Sequence, residues 1–337
     1  MRTIGTTSSN PIRLRKGFHT RRDSADSLHW EVTRLHLNPS SRVSGWSTNS
    51  LLGEGTYGQV YLVQHTATGT EYAMKVVPID RPMPAVICKG LINELLALEK
   101  MSNSRHAVPF VLKPSSDSPA RRWAWQSTQG YLHILTEYCP GGDLRDYKGQ
   151  LSAATLRLVL AELVIAIDNL HKMGIVHHDI KPDNVLVDMK GHCLLADYGG
   201  AKFLSDDGTV NLNIEEDVMS TLPYAAPEIL SEDCDPDGMK YYDEAVDWWA
   251  LGATILTLVT GEEYFYGSTI DNLCDNIPRL LEQVRSTLEN YHCCPELIDF
   301  VESLLSSQMK TVVKAWPHGR INSTRWFLEV IKPTYTL

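Results

Sequence analysis

The chain has 337 residues, 43% hydrophobic and 21% charged, the composition of an ordinary globular protein with one large or two modest domains. A formal net charge of −10 argues against general nucleic-acid binding. The longest apolar run, Ala250 to Val259, falls short of the roughly 18–20 residues that span a bilayer, so no membrane association is expected.

The charge is uneven. Residues 1–45 hold eight Lys/Arg and three Asp/Glu, a surplus of five, which leaves −15 on the remainder. Their weak periodicity and abundant Ser, Arg and Asn predict a disordered basic tail. No apolar h-region opens the chain, so no secretory signal is expected. The first 22 residues lack acids, a composition shared with mitochondrial presequences. Seven scattered cysteines without a C-x-x-C pair predict reduced thiols and a cytoplasmic or nuclear protein, with mitochondria as the alternative.

Order is predicted from about Trp46. Leu51 to Val63 and Glu71 to Val77 are β-rich, with the turn Thr66-Ala67-Thr68-Gly69 between them. Residues 87–101 predict a helix, with Ile92, Leu95, Leu96 and Leu98 at helical spacing. Residues 114–122 predict an exposed loop and 131–138 a strand. Ser152 is placed to cap a helix whose Leu156, Val159, Leu160, Leu163, Ile167 and Leu170 form one stripe, and Gly174 to stop it. The run 205–217, rich in Asp, Gly and Asn, predicts another exposed loop. A helix apolar on all sides runs from near Asp247 to Gly261, which predicts burial. Further helices are predicted at 271–289 and 295–306. The fold class is α+β: a small β-rich lobe over 46–138 and a large helical lobe over 139–332.

Four segments carry chemistry. Gly53-Glu54-Gly55-Thr56-Tyr57-Gly58 matches G-x-G-x-x-G. In a dinucleotide-binding unit a helix would follow; here Gln59-Val60-Tyr61-Leu62-Val63 predicts a strand. The glycines then lie in a hairpin whose N–H groups can approach phosphate oxygens. In Tyr72-Ala73-Met74-Lys75-Val76-Val77, a period of two puts Ala73 and Lys75 on one face. A lysine among strand apolars needs a partner unless it faces solvent, and Glu94 on the next helix is the natural one. The run 175–187, with Asp179, Lys181 and Asn184 inside it, sets a carboxylate, an amine and a carboxamide between two apolar anchors. Phosphoryl transfer needs such a set: a base for the hydroxyl, a cation for the migrating group and an oxygen for Mg²⁺. Asp197, in Asp197-Tyr198-Gly199, adds a candidate Mg²⁺ ligand.

The ordered set of glycine loop, Ala-x-Lys, helical Glu, H-x-D-x-K-x-x-N, D-x-G and A-P-E resembles the eukaryotic protein-kinase family from about residue 47 to 332. The resemblance implies a bilobal fold and ATP and Mg²⁺ as cofactors. Gly53, Gly55 and Gly58 would cover the phosphates. Val60, Ala73 and Leu186 would pack on adenine, which the backbone of Glu137 and Cys139 would bind beside a gatekeeper Thr136. Lys75 would hold the α/β-phosphates and pair with Glu94. Asp179 would be the catalytic base, and Asn184 and Asp197 the metal ligands. Asp247 would brace the catalytic loop, and Arg320 would pair with Glu228 of Ala226-Pro227-Glu228. Lys181 and Thr221 resemble the serine/threonine type. Residues 138–144 and 246–252 resemble the AGC group, although the aromatic tail motif of that group is absent.

His178 stands where most kinases have arginine, and Tyr198 where most have phenylalanine. The implied partners are protein substrates, with no nucleic acid or membrane. In the basophilic kinases that this region resembles, acidic residues at the positions of Asp143 and Asp183 bind substrate arginines, so targets with arginine two or three residues before the Ser/Thr are expected. Asp143 is also a candidate for the ATP ribose, and Arg21-Arg22-Asp23-Ser24 for a site phosphorylated in cis or a pseudosubstrate that occupies the cleft. The alternative function is a pseudokinase scaffold that binds without catalysis.

Overall fold

A computed structural model describes residues 46–55, 58–79, 82–104, 108–112, 125–128, 130–213, 220–231, 238–267 and 269–306. The basic tail, the 114–122 loop and Arg320 therefore lie outside the described residues. The chain divides into two compact units: a sheet unit ending at Cys139, and a unit that contains 83–113 and everything from Pro140 onward.

The sheet unit is built from strands β1 (Trp46–Gly55), β2 (Gly58–His65), β3 (Glu71–Pro78), β4 (Trp125–Thr128) and β5 (Tyr131–Glu137). Their spatial order is β1-β2-β3-β5-β4, with antiparallel pairing throughout. The alternation in β3 is as predicted. Tyr72, Met74 and Val76 are buried in a cluster with Val63 and Leu135, and Ala73 and Lys75 point to the other, half-exposed face.

The second unit opens with helix α1 (Ala85–Ser102). Of the four apolar residues read at helical spacing, its buried stripe includes only Leu98. Leu91, Glu94, Ala97, Leu98 and Met101 are buried, whereas Ile92 and Leu96 are exposed. Packing buries the face that carries the Glu94 carboxylate. Helix α2 (Ala153–Lys172) follows the sequence closely. The Ser152 side chain accepts from the Thr155 N–H, and the six predicted apolar residues are buried. Gly174, at φ +66°, ends the helix in the left-handed region that a side chain disfavours.

Three short strand pairs then frame the loops. β6 (Ile175–Val176) pairs with β9 (Lys202–Phe203), and β7 (Val185–Val187) with β8 (Cys193–Leu195). β10 (Val210–Asn213) pairs with β11 (Met239–Tyr242), which corrects the expectation of an irregular loop across 205–217. The alternation Val210-Asn211-Leu212 places two buried side chains around an exposed one, a strand signal masked by the neighbouring Asp and Gly residues.

Helix α3 (Pro227–Leu230) is a single turn. Helix α4 (Ala245–Thr260) is buried from Val246 to Leu258, as its all-apolar sequence predicts. Trp248 and Trp249 are both core residues. Amphipathic α5 (Ile270–Asn290) and α6 (Pro295–Leu304) complete the unit. Among the described residues no helix is long and apolar enough to cross a membrane, and the six described cysteines are free thiols.

Candidate active site

The loop between β6 and β7 holds the predicted polar set, and its geometry starts from a buried carboxylate. Asp247, in the first turn of α4, is fully buried. Its Oδ2 accepts from the His177 N–H at 2.7 Å and from His171 Nε2 at 2.8 Å, and its Oδ1 accepts from the His178 N–H at 2.7 Å. Burial alone would raise its pKa. The hydrogen bond and charge of His171, with His177 and the His178 N–H, hold it below the ordinary carboxylate value. The rigid helix therefore fixes the loop through two consecutive N–H groups, as expected for a brace.

That anchoring holds His178 at φ +69°, an uncommon conformation for a non-glycine residue. Its side chain turns inward. Only 3% of His178 is exposed, and Nε2 lies 2.8 Å from the Tyr242 hydroxyl on β11. The other ring of the pair, His177, reaches across to the Ala196 carbonyl through Nε2 at 3.0 Å.

Asp179 follows, and four donors meet its carboxylate. Lys181 Nζ donates to Oδ2 at 2.7 Å and Asn184 Nδ2 to the same oxygen at 2.9 Å. The Thr221 hydroxyl and N–H donate to Oδ1 at 2.7 and 3.1 Å. Lys181 Nζ also reaches Thr221 Oγ1 at 2.5 Å. Burial works against ionisation of Asp179, but the Lys181 charge and these hydrogen bonds keep its pKa below the ordinary value. The carboxylate is thus ionised at neutral pH and fixed in direction. Three residues that sequence separates by up to 42 positions form one hydrogen-bonded triangle.

Asn184 Nδ2 donates also to the Asp179 carbonyl at 2.7 Å. A carbonyl can only accept, so this bond fixes which end of the carboxamide is nitrogen. The amide oxygen then points away as a hard donor. Asn184 and the D-x-G segment are held side by side, since Ala196 N–H donates to the Asn184 carbonyl at 2.8 Å and β7 pairs with β8. Asp197 sits at φ +62° with Oδ1 accepting from the Gly199 N–H. Two of the four positive-φ non-glycine residues among those described, His178 and Asp197, thus flank the site, where backbone strain concentrates. Among the described residues no group of three or more His, Cys, Asp or Glu is placed to hold a metal ion. One carboxylate and one carboxamide oxygen suit Mg²⁺, which takes few protein ligands and completes its shell with phosphate and water.

Tyr198 keeps the aromatic packing expected of it and adds a bond. Its hydroxyl donates to the Leu195 carbonyl at 2.8 Å, and its ring is 5.3 Å from His177. Burial, with Asp197 and Glu94 nearby, raises its pKa far above the usual phenol range. Glu94 therefore lies on the face of α1 that packs on this segment. Leu186, on β7, forms an isolated bridge with Asp143.

The remaining predicted residues lie in the sheet unit. Gly53 and Gly55 are on β1 and Gly58 on β2, in a hairpin paired from Gly53↔Val60 to Gly55↔Gly58. No helix follows, which removes the dinucleotide-unit reading. A side chain at Gly58 would collide with the Val76 carbonyl, so the sheet itself requires glycine there. Among the described residues nothing lies within 4 Å of the place a Cβ would take at Gly53, and at Gly55 only the Gly58 carbonyl at 3.8 Å. The sheet does not demand those two glycines, which leaves open backbone for a ligand. Val60 and Ala73 are half-buried on β2 and β3. Thr136 Oγ1 reaches the Ala73 carbonyl at 3.5 Å, Glu137 ends β5, and Cys139 is buried. Lys75, on β3, and Glu94, on α1, belong to different compact units.

Sequence reasoning missed Arg145. Its guanidinium donates to Asp183 Oδ1 at 2.8 Å and to Asp143 Oδ2 at 3.0 Å, joining the two carboxylates that were expected to await a substrate. It missed the His178–Tyr242 bond as well. The signal for Arg145 was its position two residues after Asp143; the 38-residue separation from Asp183 hid the rest.

A strand-rich unit, a helical unit and a polar loop braced by a buried aspartate are the parts that a protein-kinase domain combines. Residues 46–315 match the protein kinase domain family, and the chain belongs to it. Among its relatives is the human Citron Rho-interacting kinase, 31% identical over 276 residues, which are 81% of this chain and 13% of that protein. Human myotonin-protein kinase is 31% identical over 293 residues, 83% of this chain and 43% of that protein. A cAMP-dependent protein kinase catalytic subunit-like protein of Caenorhabditis elegans is 28% identical over 311 residues, 91% of this chain and 70% of the relative. These relatives bear out the resemblance to serine/threonine-type kinases of the AGC group. The chain spans less than half the length of the two human relatives.

Proposed function

We propose that this chain transfers the γ-phosphoryl group of ATP to serine or threonine hydroxyls of proteins. The observation that carries the reading is the Asp179 carboxylate held by Lys181, Asn184 and Thr221. Such a group orients an incoming hydroxyl and accepts its proton as the bond to phosphorus forms. Its lowered pKa makes it an aligner that takes the proton late, once the oxygen has lost electron density to phosphorus.

Lys181 would steady the phosphoryl group in passage, and Thr221 would hold Lys181 and Asp179 in register against the target residue. Asn184 and Asp197 would hold Mg²⁺, which when bound neutralises phosphate charge. Gly53, Gly55 and Gly58 would present N–H groups to the phosphates. Lys75 would hold the α/β-phosphates, with Glu94 orienting it. Val60, Ala73 and Leu186 would enclose adenine, and the backbone at Glu137 and Cys139 would hydrogen-bond its edge. Asp143 is the proposed ribose contact.

The test is a peptide-array assay with the purified chain and Mg²⁺-ATP, followed by phosphoamino-acid analysis. The expected result is phosphoserine and phosphothreonine, lost in Asp179→Asn. Transfer to tyrosine alone, or none to any peptide, overturns the reading. The scaffold alternative has no observation in its favour.

A further inference from the structure

Asp143, the proposed ribose contact, and Asp183, four residues after Asp179, are the two carboxylates that the resemblance to basophilic kinases assigns to substrate arginines. A substrate guanidinium would be their natural ligand, and a guanidinium is already there. Arg145 forks between them, with NH1 2.8 Å from Asp183 Oδ1 and NH2 3.0 Å from Asp143 Oδ2. The Arg145 N–H donates to the second oxygen of Asp143 at 3.0 Å, so both oxygens of that carboxylate are taken by one residue. The side chains are accessible, Arg145 at 47%, Asp183 at 35% and Asp143 at 20%. An incoming peptide therefore meets two carboxylates already bridged by a guanidinium, with one net negative charge left in place of two.

We propose that Arg145 occupies from within the chain the guanidinium site that Asp143 and Asp183 form, so that this kinase accepts targets without selecting arginine two or three residues before the phosphorylated residue. The inference rests on the kinase reading and names the substrate class of that site. Its physical basis is an exchange of like for like. A substrate arginine gains the same two charge-assisted bonds that Arg145 gives up, and it brings a second cation beside the first. The net preference is then small. A substrate without arginine leaves the bridge intact and both carboxylates paired, so neutral residues at those positions carry no penalty. Burial already pushes the Asp143 pKa up to about 6, against the opposing pull of Arg145; with Arg145 removed that pull is lost, and the charged form is favoured only where another cation takes its place.

The experiment compares oriented peptide libraries on the full chain and on Arg145→Ala and Arg145→Gln variants, read as the ratio of arginine to alanine chosen at each position. For the unaltered chain the ratio at the two positions stays below about twofold, and either variant raises it to about tenfold, the scale of one charge-assisted pair. Arg145→Lys, which restores a cation, brings the ratio back down. Adding Asp183→Ala to Arg145→Ala removes the gain, which a merely structural role for Arg145 would not do. Strong arginine selection by the unaltered chain overturns the proposal, and so does an unchanged profile in both variants. If no protein phosphorylates any peptide, the kinase reading has failed separately. Fluorescence anisotropy with matched arginine and alanine peptides then decides the inference: equal affinities in the variants overturn it, and tighter arginine-peptide binding confined to the variants sustains it.

Discussion

At the scale of single residues, the site depends on two carboxylates with opposite duties. Asp179 faces the proposed substrate, and Asp179→Asn removes its charge while keeping its size. The expected loss of turnover is about 10²–10⁴-fold with the fold retained, measured by steady-state kinetics beside circular dichroism. The Asp179 pKa is lowered, so the group stays ionised as pH falls to the ordinary carboxylate range. An acid limb of the rate profile between pH 6 and 8 must then come from another group. Asp247 faces inward and has three donors. Asp247→Asn presents an N–H₂ to groups that need an acceptor, and it should cost about 3 kcal/mol of stability, as breaking a buried charged network does. Its folded pKa is depressed, so the stabilisation is present above the unfolded value near 3.8 and is lost as pH falls through the folded pKa. Urea unfolding of both proteins at pH 7 checks the first point, and acid titration the second. Lys75→Met keeps the stem on β3 and removes the charge. Turnover should fall about 10²–10³-fold if the lysine stabilises phosphate charge; unaltered turnover would refute that role.

At the scale of elements, the described part of the segment between the D-x-G and A-P-E motifs is held by a strand pair. β10 pairs with β11 over four residue pairs, and β11 carries Tyr242, whose hydroxyl meets His178. In kinases with arginine at that position, a guanidinium binds a phosphate on this segment and orders it. Here the side chain is shorter, buried and already bonded, and it has no fork to offer. Phosphatase treatment should therefore change turnover by less than about twofold, well below the effect of losing a charge-assisted pair. Mass spectrometry of the treated protein checks completeness. A tenfold loss traced to a residue in 205–221 would contradict the structural account of β10.

At the scale of the whole molecule, binding and folding are linked. A ligand that binds only the native state at 100 times its dissociation constant stabilises by about 2.7 kcal/mol. For a chain of this size that is a shift of about 4 °C in the unfolding midpoint. Mg²⁺-ATP should give this shift, and chelation of the metal should reduce it if Asn184 and Asp197 hold the ion. Asp197→Ala should bind ATP with an affinity that no longer depends on Mg²⁺. A shift of equal size with and without the metal would remove both residues from the metal site.

Much of the molecule was determined by local sequence. Ser152 and Gly174 marked the ends of α2 because a cap and a left-handed stop act within one turn. The all-apolar run of α4 fixed its burial, since such a helix has no face to give to water. The glycine hairpin, the alternation of β3 and the polar loop around Asp179 were legible because each depends on residues a few positions apart. Tertiary structure decided what distance in sequence conceals. It chose Leu91, Glu94 and Leu98 over Ile92 and Leu96 as the buried face of α1, because burial depends on what packs opposite. It made a strand of Val210–Asn213 by supplying β11 as a partner. It turned His178 toward Tyr242, and it filled the space between Asp143 and Asp183 with Arg145. A residue's type sets which partners suit it; only the folded chain sets which partner arrives, since charge and hydrogen bonding act over a few ångströms and the fold alone brings residues 38 or 64 positions apart within that range.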